Sequence, residues 1–372
     1  MSTFLINASN LKAGGGIQVT QSFCDQLSRF KQHRFIVVLS TYISVTFLEF
    51  GQNTRVERYD VKNNLFSIGF GRDFFLDELV VKEEVDAVLT VFGPSRWRPK
   101  VPHLCGFARA QLVLTDSPYY RRLTLKDKFL YKIWTWSFKR CSKNYYTENK
   151  YISDMLPKLL GNVKVYTVSN YYNQIYDKPE RWRWNRTLPT FDGITCLSIS
   201  THYPHKNFEI IIDVVRELKH KHPDFKIRFV LTFEEKEMPV PDDVKNAFVF
   251  IGKTDVSECP PLYEQSDIMF MPTLMECFTA TYPEAMRMNK PIVTTDLEFA
   301  RGLCGDAACY FSAVDAKAAA EAIFKVATDN EYVHQLVENG KKQLQAYDNY
   351  KQRADKLIKI LERLENEESS NS

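Results

Sequence analysis

Glu276-Cys277-Phe278-Thr279-Ala280-Thr281-Tyr282-Pro283-Glu284 follows an apolar run ending at Met271-Pro272 and opens a helical pattern that continues to Met288. An apolar strand, a turn bearing one carboxylate and a helix bearing a second make a strand-to-helix crossing of an α/β sheet. Pro283 suits a first helical position, where its missing N–H costs nothing. Backbone amides around Phe278 to Thr281 then point out of the sheet at its carboxyl edge, and unpaired amides with a helix dipole favour a diphosphate there. Two carboxylates beside a diphosphate would repel it, so Glu276 and Glu284 suit the role of acceptors for sugar and ribose hydroxyls. Spacing alone admits a plainer reading, with Glu276 an exposed loop residue and Glu284 a helix charge stabilised by the dipole.

Strand-and-helix alternation extends in both directions from this stretch. Upstream lie apolar runs at Gly193 to Ser200, Lys226 to Thr232, Ala247 to Ile251 and Asp267 to Met271, with a helix over Asn207 to His220. Downstream come a strand at Pro291 to Thr294 and helices at Ala316 to Ala327, Glu331 to Ala346 and Tyr350 to Glu365. In the final helix Ala354, Leu357, Ile358, Ile360 and Leu361 fall toward one side. Residues 172–191, with Pro179, Trp182, Arg183, Trp184 and Pro189, lack periodicity and read as an interdomain linker. Before them, Thr3 to Ala8, Phe35 to Leu39, Ala87 to Phe92, His103 to Phe107 and Val163 to Val168 read as buried parallel strands. The expected division is therefore 1–171 for a first Rossmann-like domain, 172–191 for the linker, 192–349 for a second such domain, 350–366 for a terminal helix and 367–372 for a disordered tail.

A chain of 372 residues exceeds what one core usually serves, in keeping with two domains. Nothing approaches the roughly 18 consecutive apolar residues of a membrane span, and the N-terminus shows no secretory leader, so cytoplasmic residence is expected. The eight cysteines form no C-x-x-C pair, which argues against a zinc site or a disulfide framework. A net charge of +3 does not imply nucleic-acid binding.

The Glu276 to Glu284 stretch resembles the E-x7-E motif of glycosyltransferase family 4. An ordered series around it matches as well: Phe248 to Gly252, Leu262, Tyr263, Asp267, Met271-Pro272-Thr273, Glu284-Ala285-Met286 and Pro291-Ile292-Val293. This resemblance implies a GT-B fold, with two Rossmann-like doubly wound domains facing across a cleft and the terminal helix returning to the first. It implies a retaining glycosyltransferase that uses a nucleoside diphosphate sugar as co-substrate, without a further cofactor or a bound metal. Glu276 would hold donor-sugar hydroxyls and Glu284 the ribose, with Gly252 and the amides of Cys277, Phe278 and Thr279 also facing the donor. Family members commonly have glycine where this chain has Cys277, whose side chain narrows the pocket.

His205-Lys206-Asn207 resembles the family's segment that opens the first helix of the nucleotide domain. A lysine at a helix N-terminus is poorly placed for the dipole, and a phosphate partner would explain it, although an exposed surface lysine is the alternative. Many members carry an arginine five or six positions earlier, where this chain has Ser200 and Thr201. His202, His205 and Lys253 stand as candidate substitutes. Gly14 to Gly16 reads as the family's N-terminal glycine loop, placing Gly15 and Gly16 near the donor, or as a mobile turn. Arg109 and Asp116 are candidate acceptor residues, and no catalytic-region histidine carries over, His103 lying too early on its strand.

Ser117 to Lys143 holds eight basic residues against the single acid Asp127, interleaved with Tyr119, Tyr120, Phe129, Tyr131, Trp134, Trp136 and Phe138. Such a stretch suits the headgroup region of an anionic membrane, or aromatics buried in a core under a solvated basic face. No nucleic-acid module accompanies the charge. The expected acceptor is a glycan or lipid-linked glycan at the cytoplasmic membrane face, in cell-surface polysaccharide biosynthesis. A nucleotide-sugar epimerase and a donor-binding subunit without turnover are the rival functions.

Overall fold

A computed structural model describes residues 1–12, 14–45, 50–61 and 70–370. They form two compact units. The first comprises Met1–Val113, Leu123–Asn170 and Asp348–Ser372, and the second comprises Leu114–Arg122 and Tyr171–Tyr347.

In the first unit, β1 (Thr3–Ala8), β2 (Arg34–Leu39), β3 (Thr54–Arg58), β4 (Ala87–Thr90), β5 (His103–Gly106), β6 (Asn144–Thr147) and β7 (Lys164–Thr167) build one sheet ordered β3-β2-β1-β4-β5-β6-β7. Every pairing is parallel, with Phe4 opposite Phe35 and opposite Ala87. Side chains alternate across the pleat, so each strand feeds two cores. Phe4, Ile6, Phe35, Val37, Ala87 and Leu89 enter one, while Leu5, Ile36, Val38 and Val88 enter the other with Trp97. The first core is completed by Ala354, Leu357, Ile358, Leu361 and Leu364 of the helix Tyr350–Ser369.

That helix starts at a reciprocal cap, Asn349 accepting from the amides of Lys351 and Gln352 at 3.0 Å while Gln352 accepts from the Asn349 amide at 3.0 Å. Its helical spacing of apolar residues makes a core-facing stripe, and the ion pairs Arg29–Asp355 (3.0 Å) and Lys164–Glu367 (2.7 Å) line its edges. It runs to Ser369, three residues into the span read as a disordered tail. Residues 371–372 lie outside the described residues.

The second unit has β8 (Ile194–Ser198), β9 (Ile227–Leu231), β10 (Phe248–Phe250), β11 (Ile268–Met271), β12 (Ile292–Thr295) and β13 (Ala308–Phe311) in a parallel sheet ordered β10-β9-β8-β11-β12-β13. The order reverses at β8, whose neighbours are β9 and β11, leaving a crevice beyond the carboxyl ends of β8 and β11. The stretch read as a linker packs within this unit: Arg183 N donates to Ser257 O at 2.9 Å, Leu188 N to Gln265 Oε1 at 2.8 Å, and Tyr176 is fully buried. No helix among the described residues is long and apolar enough to cross a membrane.

Candidate donor site

At the crevice of the second unit, the loop after β8 meets the loop after β11. Leu274 N donates to His205 O at 2.8 Å, Thr295 Oγ1 to Thr273 O at 2.6 Å, and the buried Ser117 hydroxyl to Leu274 O at 2.6 Å. Three anchors therefore fix the backbone just ahead of Glu276. Pro204–Lys206 forms a 3-10 turn that closes on Asn207, held in the left-handed region at φ 56°, a conformation asparagine tolerates better than most residues.

The turn aims Lys206 inward, and Lys206 Nζ ion-pairs with Glu276 Oε1. Both side chains are about nine-tenths buried, at 10% and 12% exposure, so this is an interior pair and no surface contact. The Thr273 hydroxyl shares its one hydrogen between Glu276 Oε1 at 3.1 Å and His205 O at 3.3 Å. Burial holds the His205 imidazole below its ordinary range; Glu276, with Oε1 4.0 Å from Nε2, pulls it up and Lys206 pushes it down. The imidazole stacks on Tyr203 and meets the edge of Tyr119.

Glu284 lies on the helix Thr281–Arg287 and is buried, with no cation paired to it among the described residues. Burial pushes its carboxyl up to about 7, opposed by the Tyr176 and Tyr263 hydroxyls beside it. Neither hydroxyl compensates strongly. Tyr263 Oη reaches Glu284 Oε2 at 3.4 Å while also donating to Thr281 O at 3.2 Å, and Tyr176 Oη has no partner of hydrogen-bonding geometry. A carboxylate so placed is short of donors, which polyol hydroxyls would supply.

The second unit brings Lys206 and Glu276 together and also contains Cys277, Phe278, Thr279, Glu284, Gly252 and Asp116. Cys277 is buried and is not among the positive-φ residues, so its side chain brings no left-handed strain where the resembled family has glycine. The Phe278 ring meets Tyr347 edge-on, and Thr279 Oγ1 lies 2.9 Å from Thr281 Oγ1. Gly252 has a backbone reason to be glycine: its φ is +70° and a Cβ would meet Glu234 Oε1 at 2.6 Å. Asp116 is exposed.

Gly15, Gly16 and Arg109 belong to the first unit. Gly15 and Gly16 open the helix Gly15–Cys24 after β1, at the point where that sheet also reverses its order. Arg109 packs over the Trp134 ring at 4.6 Å. His103 is a strand residue whose ring nitrogens meet Thr90 Oγ1 (2.9 Å) and Cys141 O (3.1 Å), and burial brings its pKa down to about 4. With Cys105 and Cys141 it makes a close His-Cys-Cys cluster whose imidazole is satisfied by protein groups alone.

Sequence reading missed Tyr176, placed in the supposed linker, and treated Ser117 and Arg122 only as members of a basic stretch. The recurrence of tyrosine at Tyr171, Tyr172 and Tyr176 in an otherwise polar segment was the available signal for a buried anchor there.

Residues 181–343 match the family model described as glycosyl transferases group 1. No curated protein is similar to this chain in sequence. Among solved structures, a glycosyltransferase from Rickettsia africae is similar over 98% of each chain at 15% identity and a TM-score of 0.70. Sucrose-phosphate synthase from Thermosynechococcus elongatus is similar over 98% of this chain and 99% of its own, at 13% identity and a TM-score of 0.72. HepE of Anabaena, in complex with UDP and glucose, is similar over 97% of this chain and 99% of its own, at 13% identity and a TM-score of 0.65. The chain has the GT-B fold, and its second unit carries the segment that matches the group 1 glycosyltransferases.

Proposed function

We propose that the chain is a retaining glycosyltransferase that moves a sugar from a nucleoside diphosphate sugar, such as a UDP- or GDP-sugar, to a hydroxyl of a glycan or lipid-linked glycan. The observation that carries this reading is the buried Glu284 carboxylate, met by one long, shared hydroxyl, on the helix that follows the same strand as Glu276, which pairs with Lys206. A ribose presents two adjacent hydroxyls that can donate to Glu284 and hold it ionised. Donor binding exchanges the interior ion pair: sugar hydroxyls donate to Glu276, and Lys206 turns to the diphosphate. Lysine then stabilises charge that grows on the leaving phosphate as the anomeric C–O bond breaks. The amides of Cys277 to Thr279, with Gly252, and in the first unit the turn at Gly15 and Gly16, are assigned to the donor. Arg109 and Asp116 are assigned to the acceptor. As the resemblance implies, the reaction runs without a bound metal, the donor itself being the co-substrate.

A second assignment rests on the helix Leu125–Cys141 of the first unit. Only Phe138 and Cys141 of that helix are buried, whereas Leu125 (86%), Phe129 (66%) and Trp136 (43%) are exposed on one face with Ile133. Spacings of four, four and three put these apolar residues in one stripe, and Lys126, Lys128, Lys132 and Lys139 flank it. An exposed apolar stripe edged by lysines fits an anionic bilayer surface, where a lipid-linked acceptor would be met. Co-sedimentation with vesicles containing phosphatidylglycerol, lost in Phe129→Ser/Trp136→Ser, tests this contact.

The donor reading is tested with UDP-, GDP- and ADP-sugars, scored for thermal stabilisation and nucleoside diphosphate release. One donor should stabilise and turn over, with both effects lost in Lys206→Ala. Stabilisation without release under any acceptor would favour a donor-binding subunit, and no response to any donor would sink the site.

A further inference from the structure

Among the described residues, the interior of the candidate donor site has no surplus of positive charge. Lys206 is matched by Glu276, burial keeps the His205 imidazole below its ordinary range and so neutral at pH 7, and Glu284 adds only negative charge. A nucleoside diphosphate brings at least two negative charges, so one lysine released from an ion pair leaves the diphosphate under-neutralised. Of the other basic groups suggested by sequence, His202 is committed to Glu209 at 2.9 Å, and Lys253 is exposed.

A cation does reach the turn, from an unexpected part of the chain. Leu114–Arg122 leaves the first unit's sequence and packs as part of the second. It is pinned there by the Ser117 hydroxyl on Leu274 O and by the Tyr119 edge on His205. At its end, exposed Arg122 donates from Nη1 to Asn207 Oδ1 at 3.2 Å, one residue beyond Lys206. One of five guanidinium donors is thereby used to aim the group, and the rest remain for another acceptor.

Asn207 supplies an independent sign of a ligand. It is 5% exposed, and with Oδ1 turned to Arg122 its Nδ2 is buried without a hydrogen-bond partner among the described residues. A buried amide donor left unmet is costly unless an acceptor arrives. Phosphate oxygens are such acceptors, and they suit the planar fork of an arginine as well.

We propose that Arg122, aimed by Asn207, is a second cationic ligand of the donor diphosphate, delivered to the nucleotide-binding unit by the Leu114–Arg122 segment. The assignment rests on the donor reading above. Its ligand is the diphosphate and not the base, ribose or sugar, so its loss should be felt only by compounds that carry the phosphates.

Titration calorimetry with UDP, GDP and ADP, each beside its nucleoside, tests this on wild type, Arg122→Met and Arg122→Lys. Methionine keeps the apolar stem of the side chain and removes only the charge and donors, and thermal melts without nucleotide should be unchanged. The expected result is a roughly 10- to 100-fold weaker diphosphate in Arg122→Met, the size of a charged hydrogen bond or two. Nucleoside affinity should be unchanged, Arg122→Lys should recover part of the loss, and the wild-type preference for diphosphate over nucleoside should fall with added salt. Equal diphosphate affinity in wild type and Arg122→Met would overturn the assignment while leaving the donor site intact. A parallel loss for the nucleoside would overturn it too, by making Arg122 a structural support. Failure of all three nucleotides to bind wild type would remove the donor reading itself.

Discussion

Two buried glutamates, one in each unit, are both pushed up to about 7 by burial, and they are held in opposite ways. Glu148 faces Arg353, whose Nη2 lies 3.3 Å from Oε1 and whose Nη1 donates to Asn170 Oδ1 at 3.1 Å. Among the described residues Glu284 has no cation paired to it; beside it lie the Cys259 thiol and two tyrosine hydroxyls, one of them shared and the other without hydrogen-bonding geometry. The first carboxylate is partnered by a residue of the terminal helix, and its role is to fasten that helix within the first unit. The second has no cation among the described residues and one long hydroxyl contact, in the connection that leaves the carboxyl end of a parallel strand. A raised pKa is therefore no mark of a ligand site by itself; the missing cation is.

The largest effect should come from breaking the pair in the first unit. Arg353→Met leaves Glu148 buried without its cation and should cost about 3–5 kcal/mol in urea unfolding at pH 8. The loss should shrink at pH 5, where Glu148 can take up a proton. Glu148→Met/Arg353→Met, which removes both charges, should recover most of the stability. If Arg353→Met unfolds like wild type, the contrast between the two glutamates has no energetic content.

Glu284→Gln should separate stability from binding in the other direction. No cation is orphaned, and an amide replaces a carboxylate that burial disfavours, so the urea midpoint should stay or rise. Affinity for the nucleoside diphosphate that binds wild type should fall roughly 10- to 100-fold, because neutral acceptors replace a charged one toward the ribose hydroxyls. A 2′-deoxynucleotide should lose less than the ribonucleotide does on the same substitution. A destabilised Glu284→Gln with unchanged nucleotide affinity would make Glu284 a structural residue like Glu148.

The same contrast explains what could be read from sequence. Lys206, Glu276 and Glu284 were legible because each sits beside a strand end, and apolar runs such as Ile268–Met271 mark strand ends well. Tyr176 was not, because Glu284, beside which its ring is buried, is 108 positions away in sequence and its own segment has no periodicity. Arg122 was counted among the basic residues of one stretch, whereas the chain divides that stretch between two units at Leu123. Among strands, β3 escaped notice because Thr54–Arg58 alternates only weakly and lies on a sheet edge, where half its surface meets solvent. β13 lies on an edge as well, and the four residues of β6 follow directly on a long helix. The stripe on Leu125–Cys141 shows the reverse failure: the residues were plain, and only burial could decide which way they faced.

The smallest effect is a proton count, and it tests the two glutamates in one titration. A carboxyl whose folded pKa is about 7, against 4.5 when unfolded, keeps its proton in the native state over that interval while the unfolded chain has lost it. Native protein then binds more protons than unfolded protein, so the stability contributed is complete below 4.5 and is lost as pH rises through about 7. Both glutamates share that sign for folding, but only Glu284 should also respond to ligand, and with the opposite sign. Ribose hydroxyls favour the ionised form, so donor binding must expel the proton from whatever fraction of Glu284 still holds it. For a nucleotide sugar, whose diphosphate has no titrating terminal phosphate, that is about half a proton per donor bound at pH 7, falling toward zero by pH 8.5, and affinity should rise less than tenfold between pH 6 and pH 8 before levelling. Calorimetry in buffers of different ionisation enthalpy reads the count directly. Glu284→Gln should abolish it, and Glu148→Gln should not, since Glu148 meets no ligand. Proton release that survives Glu284→Gln would assign the titrating group elsewhere and collapse the distinction between the two sites.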